Sequence, residues 1–171
     1  EDGQIATRGS FANDDSLGVW TWNHPNGMIA IRGVFAGGLR SGEWSLHDEG
    51  GDTFAAGIYD QGTMRDGTFF WIDTDAGVRV FATLKNGSRH GSYSETPISS
   101  GNSESGEYDH GRRRGEWTVS SSEGKTLLTS HYDESGSVAA TTRWSYVSDV
   151  LRDAKTFRGT TGPHFGVLHG T

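Results

Sequence analysis

The chain has 171 residues, of which 26 are Gly, 32% are apolar and 11% aromatic, with a formal charge of −7 and no Cys. So small an apolar share leaves too little material for one dense core, while six Trp, five Tyr and eight Phe are too many rings for a solvated coil. The acidic balance, with a pI near 5.4, argues against a protein that wraps nucleic acid; the missing Cys excludes disulfides and thiolate metal sites, and no apolar run is long enough for a membrane-spanning helix.

The chain opens at Glu1 with neither Met nor an apolar run, which reads as a mature product after signal cleavage or a trimmed chain and favours a periplasmic or extracellular location over a cytoplasmic one. Gly9-Ser-Phe11 to Gly18 matches the second half of a unit that recurs downstream, so a first strand is expected over 4–7, or else the natural chain continues upstream. From Gly18 onward a phrase repeats: Gly, any residue, an aromatic, then a second aromatic or aliphatic followed by two spaced glycines. Its openings are Gly18-Val-Trp20, Gly42-Glu-Trp44, Gly67-Thr-Phe69, Gly91-Ser-Tyr93 and Gly115-Glu-Trp117, spaced 24, 25, 24 and 24 residues. A constant period of that size means stacked repeats, each one supersecondary unit that lends its apolar face to its neighbours.

Within a unit the pattern predicts a hairpin. Glu43 to His47 alternates with period two, Asp48 to Asp52 turns the chain, and Thr53 to Tyr59 returns; Gly62, Gly87 and Gly111 supply a second tight turn before the next unit. The third copy has Ala82 and Leu84 where Gly and Tyr are usual, and the fourth has Thr96-Pro97-Ile98 to Ser105 where strands should run, which predicts a short or distorted hairpin. Val138 to Trp144 reads as a last strand. Over 145–155 the period changes, with Tyr146, Val147, Val150, Leu151 and Ala154 on one helical stripe and Ser145 as N-cap, so an amphipathic helix is expected to cap the open sheet end, followed by a loose tail over 160–171.

Five such phrases in register resemble the MORN repeat family, in particular its degenerate bacterial variant, over about residues 9–137. The resemblance implies an all-β fold: a single-layer curved stack of antiparallel hairpins, here a repeat domain over 1–144 of about five and a half repeats and a capping segment over 145–171 with a short C-terminal amphipathic helix. It also implies a scaffold or immunity-type protein without catalysis, whose partners are proteins, a second copy of itself, or phospholipid. Choline-binding repeats share the Gly-Trp phrase, but they are shorter and carry adjacent rings, which occur here only at Phe69-Phe70-Trp71.

The candidate binding residues fall into two sets. Trp44, Tyr59, Tyr108 and Trp117 belong to the repeating rings, whose first duty is packing; Trp22 and Trp71 lie beyond the repeat's need and are better placed to meet a glycan or cell-envelope ligand. Arg40, Arg65, Arg89 and Arg113 each precede a repeat-opening Gly by two residues and should stack into a ladder, with Arg112 and Arg114 beside the last. Such an edge suits an acidic partner or phospholipid headgroup, or else pairs with Glu43, Asp66 and Glu116 next to it. The seven His show no local zinc spacing, and no catalytic phrase occurs, so the expectation is no enzyme, no cofactor and no metal, a cross-strand histidine site being the arrangement that spacing does not address. The function expected is a non-catalytic module for protein–protein interaction or scaffolding, with a protein partner or homodimer, and with glycan or acidic lipid as alternative ligands.

Overall fold

In the computed structural model, residues 5–147 and 150–158 are described. They form one unclosed sheet of thirteen antiparallel strands whose spatial order is the chain order. The strands are β1 (Thr7–Ala12), β2 (Asp15–Asn23), β3 (Ile29–Ala36), β4 (Leu39–His47), β5 (Thr53–Asp60), β6 (Thr63–Asp73), β7 (Val78–Lys85), β8 (Ser88–Pro97), β9 (Ser103–Asp109), β10 (Arg112–Ser120), β11 (Thr126–Tyr132), β12 (Val138–Val147) and β13 (Val150–Arg158). By packing, the chain divides into two compact units, Glu1–Phe69 with Thr83–Ser88 and Phe70–Ala82 with Arg89–Thr171.

The repeat phrase has a geometric cause at both ends. The opening glycine sits at a bulge with positive φ, +71° at Gly18, +63° at Gly42 and +63° at Gly115, a conformation costly for any residue with a Cβ. At that bulge three residues on one strand face a single residue on its neighbour: the rungs Arg32↔Ser45 and Val34↔Ser41 leave Gly42-Glu43-Trp44 opposite Gly33 alone. Gly115-Glu116-Trp117 likewise faces Gly106, and Gly18-Val19-Trp20 faces Gly9. The Trp ring then lies flat on the facing glycine, so that a Cβ on Gly33 would come 2.0 Å from Cδ2 of Trp44, and one on Gly106 2.4 Å from Trp117.

These flat rings alternate with rings from the returning strands. In the first unit Phe11, Trp20, Phe35, Trp44, Tyr59 and Phe69 follow one another edge to face, with centroids 5.0–5.9 Å apart. In the second, Tyr93, Tyr108, Trp117 and Tyr132 do the same at 5.1–6.1 Å. Among the described residues the buried side chains are few, including Trp44, Tyr59, Phe69, Tyr93 and Trp117, each at most 7% exposed. A buried ring of this size is worth about 4–6 kcal/mol gross, so a thin aromatic stack replaces the conventional core.

Between repeats the chain reverses through two-residue turns in which both residues have positive φ: Asn13-Asp14, Gly37-Gly38, Gln61-Gly62, Asn86-Gly87 and His110-Gly111. The turn glycine ties back one strand further, Gly62 N–H to Arg40 C=O and Gly111 N–H to Arg89 C=O, both at 2.8 Å. The longer turns within repeats are braced by their first side chain, as where Asp48 Oδ1 accepts the N–H groups of Gly50 and Asp52.

Three expectations need correction or refinement. The first strand begins at Thr7, not before it, and Gln4 lies outside the described residues. The fourth hairpin is lopsided: β8 runs ten residues to Pro97 while β9 has seven, and the rungs between them stop at Glu95↔Glu104. The helix expected over 145–155 does not form among the described residues; Ser145–Val147 finish β12, and Val150–Arg158 is β13, joined to β12 by eight rungs. The open edge of β12 offers a full row of backbone partners, and Tyr146, Val147, Val150, Thr156 and Phe157 are residues that strands favour, whereas the helical stripe finds no second layer to bury it. The tail over 160–171 falls outside the described residues.

Gly33→Ala should cost about 1–3 kcal/mol in urea unfolding, because the methyl group displaces a buried indole, whereas Gly37→Ala meets empty space and carries only the penalty of positive φ, about 1–2 kcal/mol. Adding Trp44→Ala to Gly33→Ala should make the glycine change nearly silent. Alkaline pH probes Tyr93, whose pKa is pushed above the usual value near 10 by burial and by the hydrogen bond it donates to Glu95. The folded chain holds that proton more tightly than the unfolded one, so the contribution is complete below about pH 10 and is lost above it, at up to about 1.4 kcal/mol per pH unit. Comparing the wild type with Tyr93→Phe at pH 9 and 11 should show the wild type losing more; equal losses would exclude the effect.

Candidate functional site

The bulge that places each ring also turns the preceding arginine back over it. The guanidinium carbons of Arg40, Arg89 and Arg113 lie 4.6, 4.8 and 3.9 Å from the ring centres of Trp44, Tyr93 and Trp117. Each Nη1 also donates to the phenol of the returning strand, to Tyr59 at 3.1 Å, Tyr108 at 3.3 Å and Tyr132 at 3.1 Å. Arg65 shares neither contact: Leu84 stands where the others have the phenol, and the bulge of this unit falls on Arg65 itself, between the rungs Ile58↔Asp66 and Tyr59↔Met64. The ladder is therefore a cover for the aromatic stack. Its acidic neighbours do other work: Asp66 accepts the N–H of Asn86 at 2.8 Å, and Arg113 pairs with Glu104 at 2.6 and 2.8 Å rather than with Glu116.

Trp22 and Trp71 occupy the place four residues after the opening glycine, where a second apolar rung crosses the first, second and fifth hairpins. Trp22 faces Ile31, Leu46 faces Ala55, and Val119 faces Leu128. Trp22 is half-buried, stacked 5.8 Å from Trp20 and tilted 5.9 Å from Trp44, and Trp71 packs on the cluster of Val80, Ala82, Tyr93 and Trp117. Trp44, Tyr59 and Trp117 are buried, and Tyr108 is half-buried beside Tyr93 and Trp117.

In the fourth hairpin the second rung is Glu95 facing Glu104. Like charges directly opposite are destabilising, and here each carboxylate is taken up by the ring layer: Glu95 Oε2 accepts the Tyr93 hydroxyl at 2.6 Å, and Glu104 accepts both Nη atoms of Arg113. Burial works against the charge on Arg113, but the hydrogen bonds and charge of Glu104 outweigh it, and the guanidinium pKa is raised.

The other end of the same hairpin, where β9 turns into β10, carries a polar cluster. Asp109 Oδ1 lies 2.8 Å from Nδ1 of His110 and 3.2 Å from Nδ1 of His90, and the two imidazoles are 5.0 Å apart at 73°. Beside them is an open cleft of about 400 Å³ lined by Asp109, His110, Arg112, Arg113, Arg114 and Glu134. Arg112 and Arg114 are exposed there, while Arg113 is held inward. Sequence spacing separates His90 from the Asp109-His110 pair by nearly a whole repeat. What joins them is register: Gly91 pairs with Tyr108, which brings the residue before the opening glycine next to the residue after the tyrosine.

No protein-family model and no curated protein matches the chain.

Arg113→Ala should lower stability by about 2–3 kcal/mol, since it strands Glu104 beside Glu95 and uncovers Trp117, whereas Arg65→Ala should change it by less than about 0.5 kcal/mol. Chemical denaturation of the two variants in the same buffer checks the contrast.

Proposed function

We propose that the chain is a non-catalytic, MORN-like repeat module that binds a protein partner, and that the partner's strand is added at the edge of β13. The observation that carries this reading is the state of that strand. All nine of its residues are exposed, including Val150 at 66%, Leu151 at 47% and Phe157 at 61%, and among the described residues it is paired on one side only. An unpaired edge with apolar side chains is a template for an incoming strand, in which main-chain hydrogen bonds supply affinity and alternate side chains supply selectivity.

The tandem period and the hairpin stack support the MORN likeness. The glycan reading draws less support, since Trp22 and Trp71 are engaged in packing. The acidic-phospholipid reading is left with Arg65, Arg112 and Arg114, because Arg40, Arg89 and Arg113 lie over rings.

Native mass spectrometry and pull-down with the full chain test the proposal against Val150→Lys/Phe157→Lys, a variant that places two charges on the edge strand. A protein partner or second copy retained by the wild type and lost by the variant, at unchanged melting temperature, is the expected result. A strictly monomeric wild type that retains nothing would sink the reading, and a partner held equally by both proteins would move it off β13.

A further inference from the structure

We infer that His90, Asp109 and His110 form a binding site for a divalent first-row transition-metal ion, with zinc as the ion the donor set suits. The three residues come from two adjacent strands and the turn beyond them, and one donor atom from each lies within 4.8 Å of the other two. A tetrahedral zinc ion with bonds of ~2.0–2.2 Å holds its ligand atoms roughly 3.3–3.6 Å apart. The His90–Asp109 separation of 3.2 Å is already near that value, and the His110–Asp109 separation of 2.8 Å requires a small opening. Both imidazoles bring Nδ1 within 3.2 Å of the same carboxylate oxygen. That of His90 is buried yet makes no hydrogen bond, its approach to Asp109 being misaligned for one. A buried ring nitrogen without a hydrogen bond beside a carboxylate is what a metal ion would satisfy.

Repeat register argues that the trio is not a by-product of the fold. The places of His90, Asp109 and His110 are held in the second copy by Ser41, Asp60 and Gln61, and the third copy has Asn86 where His110 stands. The turn position requires positive φ, +47° at His110 and +51° at Asn86, which Asn meets without an imidazole. Two histidines therefore stand at places the hairpin fills otherwise elsewhere, and they meet on one aspartate. Two imidazoles and a carboxylate form a donor set for zinc, copper(II), nickel or cobalt rather than calcium or magnesium. Asp109 and His110 also line the cleft, so the remaining coordination position is within reach of water or an anionic group from that side.

The test is calorimetric titration of the tag-free full chain with zinc chloride, with imidazole nitrogen spectra recorded in parallel. One ion per chain is expected, with the ring signals of His90 and His110 shifting together. His90→Ser and His110→Asn, which restore residues found at the same places in other copies, should keep the fold and weaken binding at least tenfold each, while His131→Gln leaves it unchanged. No heat and no ring shift up to millimolar zinc would overturn the site. So would undiminished binding in both variants, or a shift confined to other histidines. Should a variant fold poorly, the wild-type ring spectra decide the matter by themselves.

Discussion

Everything in this fold depends on an aromatic ring lying flat on a glycine across a β-bulge. The bulge places three residues opposite one, and the ring fills the space that the missing Cβ leaves, as Trp44 does on Gly33 and Trp117 on Gly106. Each contact needs two glycines, one for the positive φ of the bulge and one beneath the ring, and that double demand accounts for much of the unusual glycine content. It also explains how a chain with 32% apolar residues stays ordered: the rings meet each other edge to face along the sheet, so a line of aromatics suffices where other folds need a volume.

From that contact the rest follows outward. The residue two before the bulge is carried back over the ring, and an arginine there gains the ring face below and the phenol of the returning strand beside it. Arg40, Arg89 and Arg113 repeat this geometry with ring distances of 3.9–4.8 Å. Arginine suits the place because its planar fork stacks and donates at once, which a lysine would not do. A register of like charges is thereby turned into part of the packing. What would look from the sequence like a basic edge awaiting an anion is mostly a lid on the aromatic line.

The period, the hairpins and the tight-turn glycines were legible in the sequence because each imposes a residue type at a fixed spacing. The role of the opening glycine was not, since a bulge and a strand give the same period; nor was the glycine under the ring, whose partner lies on another strand. The segment after Trp144 misled for a clearer reason. Its apolar residues fit a helical stripe, but the stripe would have had nothing to pack on, whereas the edge of β12 had a whole row of hydrogen bonds to offer. The candidate site was half visible. Trp22, Trp71 and the arginine register could be named as departures or regularities, but His90 meets Asp109 and His110 only through a register that pairs Gly91 with Tyr108.

The fourth hairpin is where the stack's own logic is broken. In the first, second and fifth hairpins the second rung is apolar, as with Trp22 on Ile31 or Val119 on Leu128, and it deepens the ring layer. Here it is Glu95 on Glu104, a pairing that weakens a sheet unless other groups absorb both charges. Tyr93 and Arg113 do so, and in doing so they become fixed, since neither can move without leaving a half-buried carboxylate uncompensated. Arg113 is thus drawn inward between Arg112 and Arg114, which remain exposed at the cleft beside the histidine pair. An acidic rung held from both sides sits on the strand that carries Asp109, and such bracing is what the metal site we infer there would need to be preorganised.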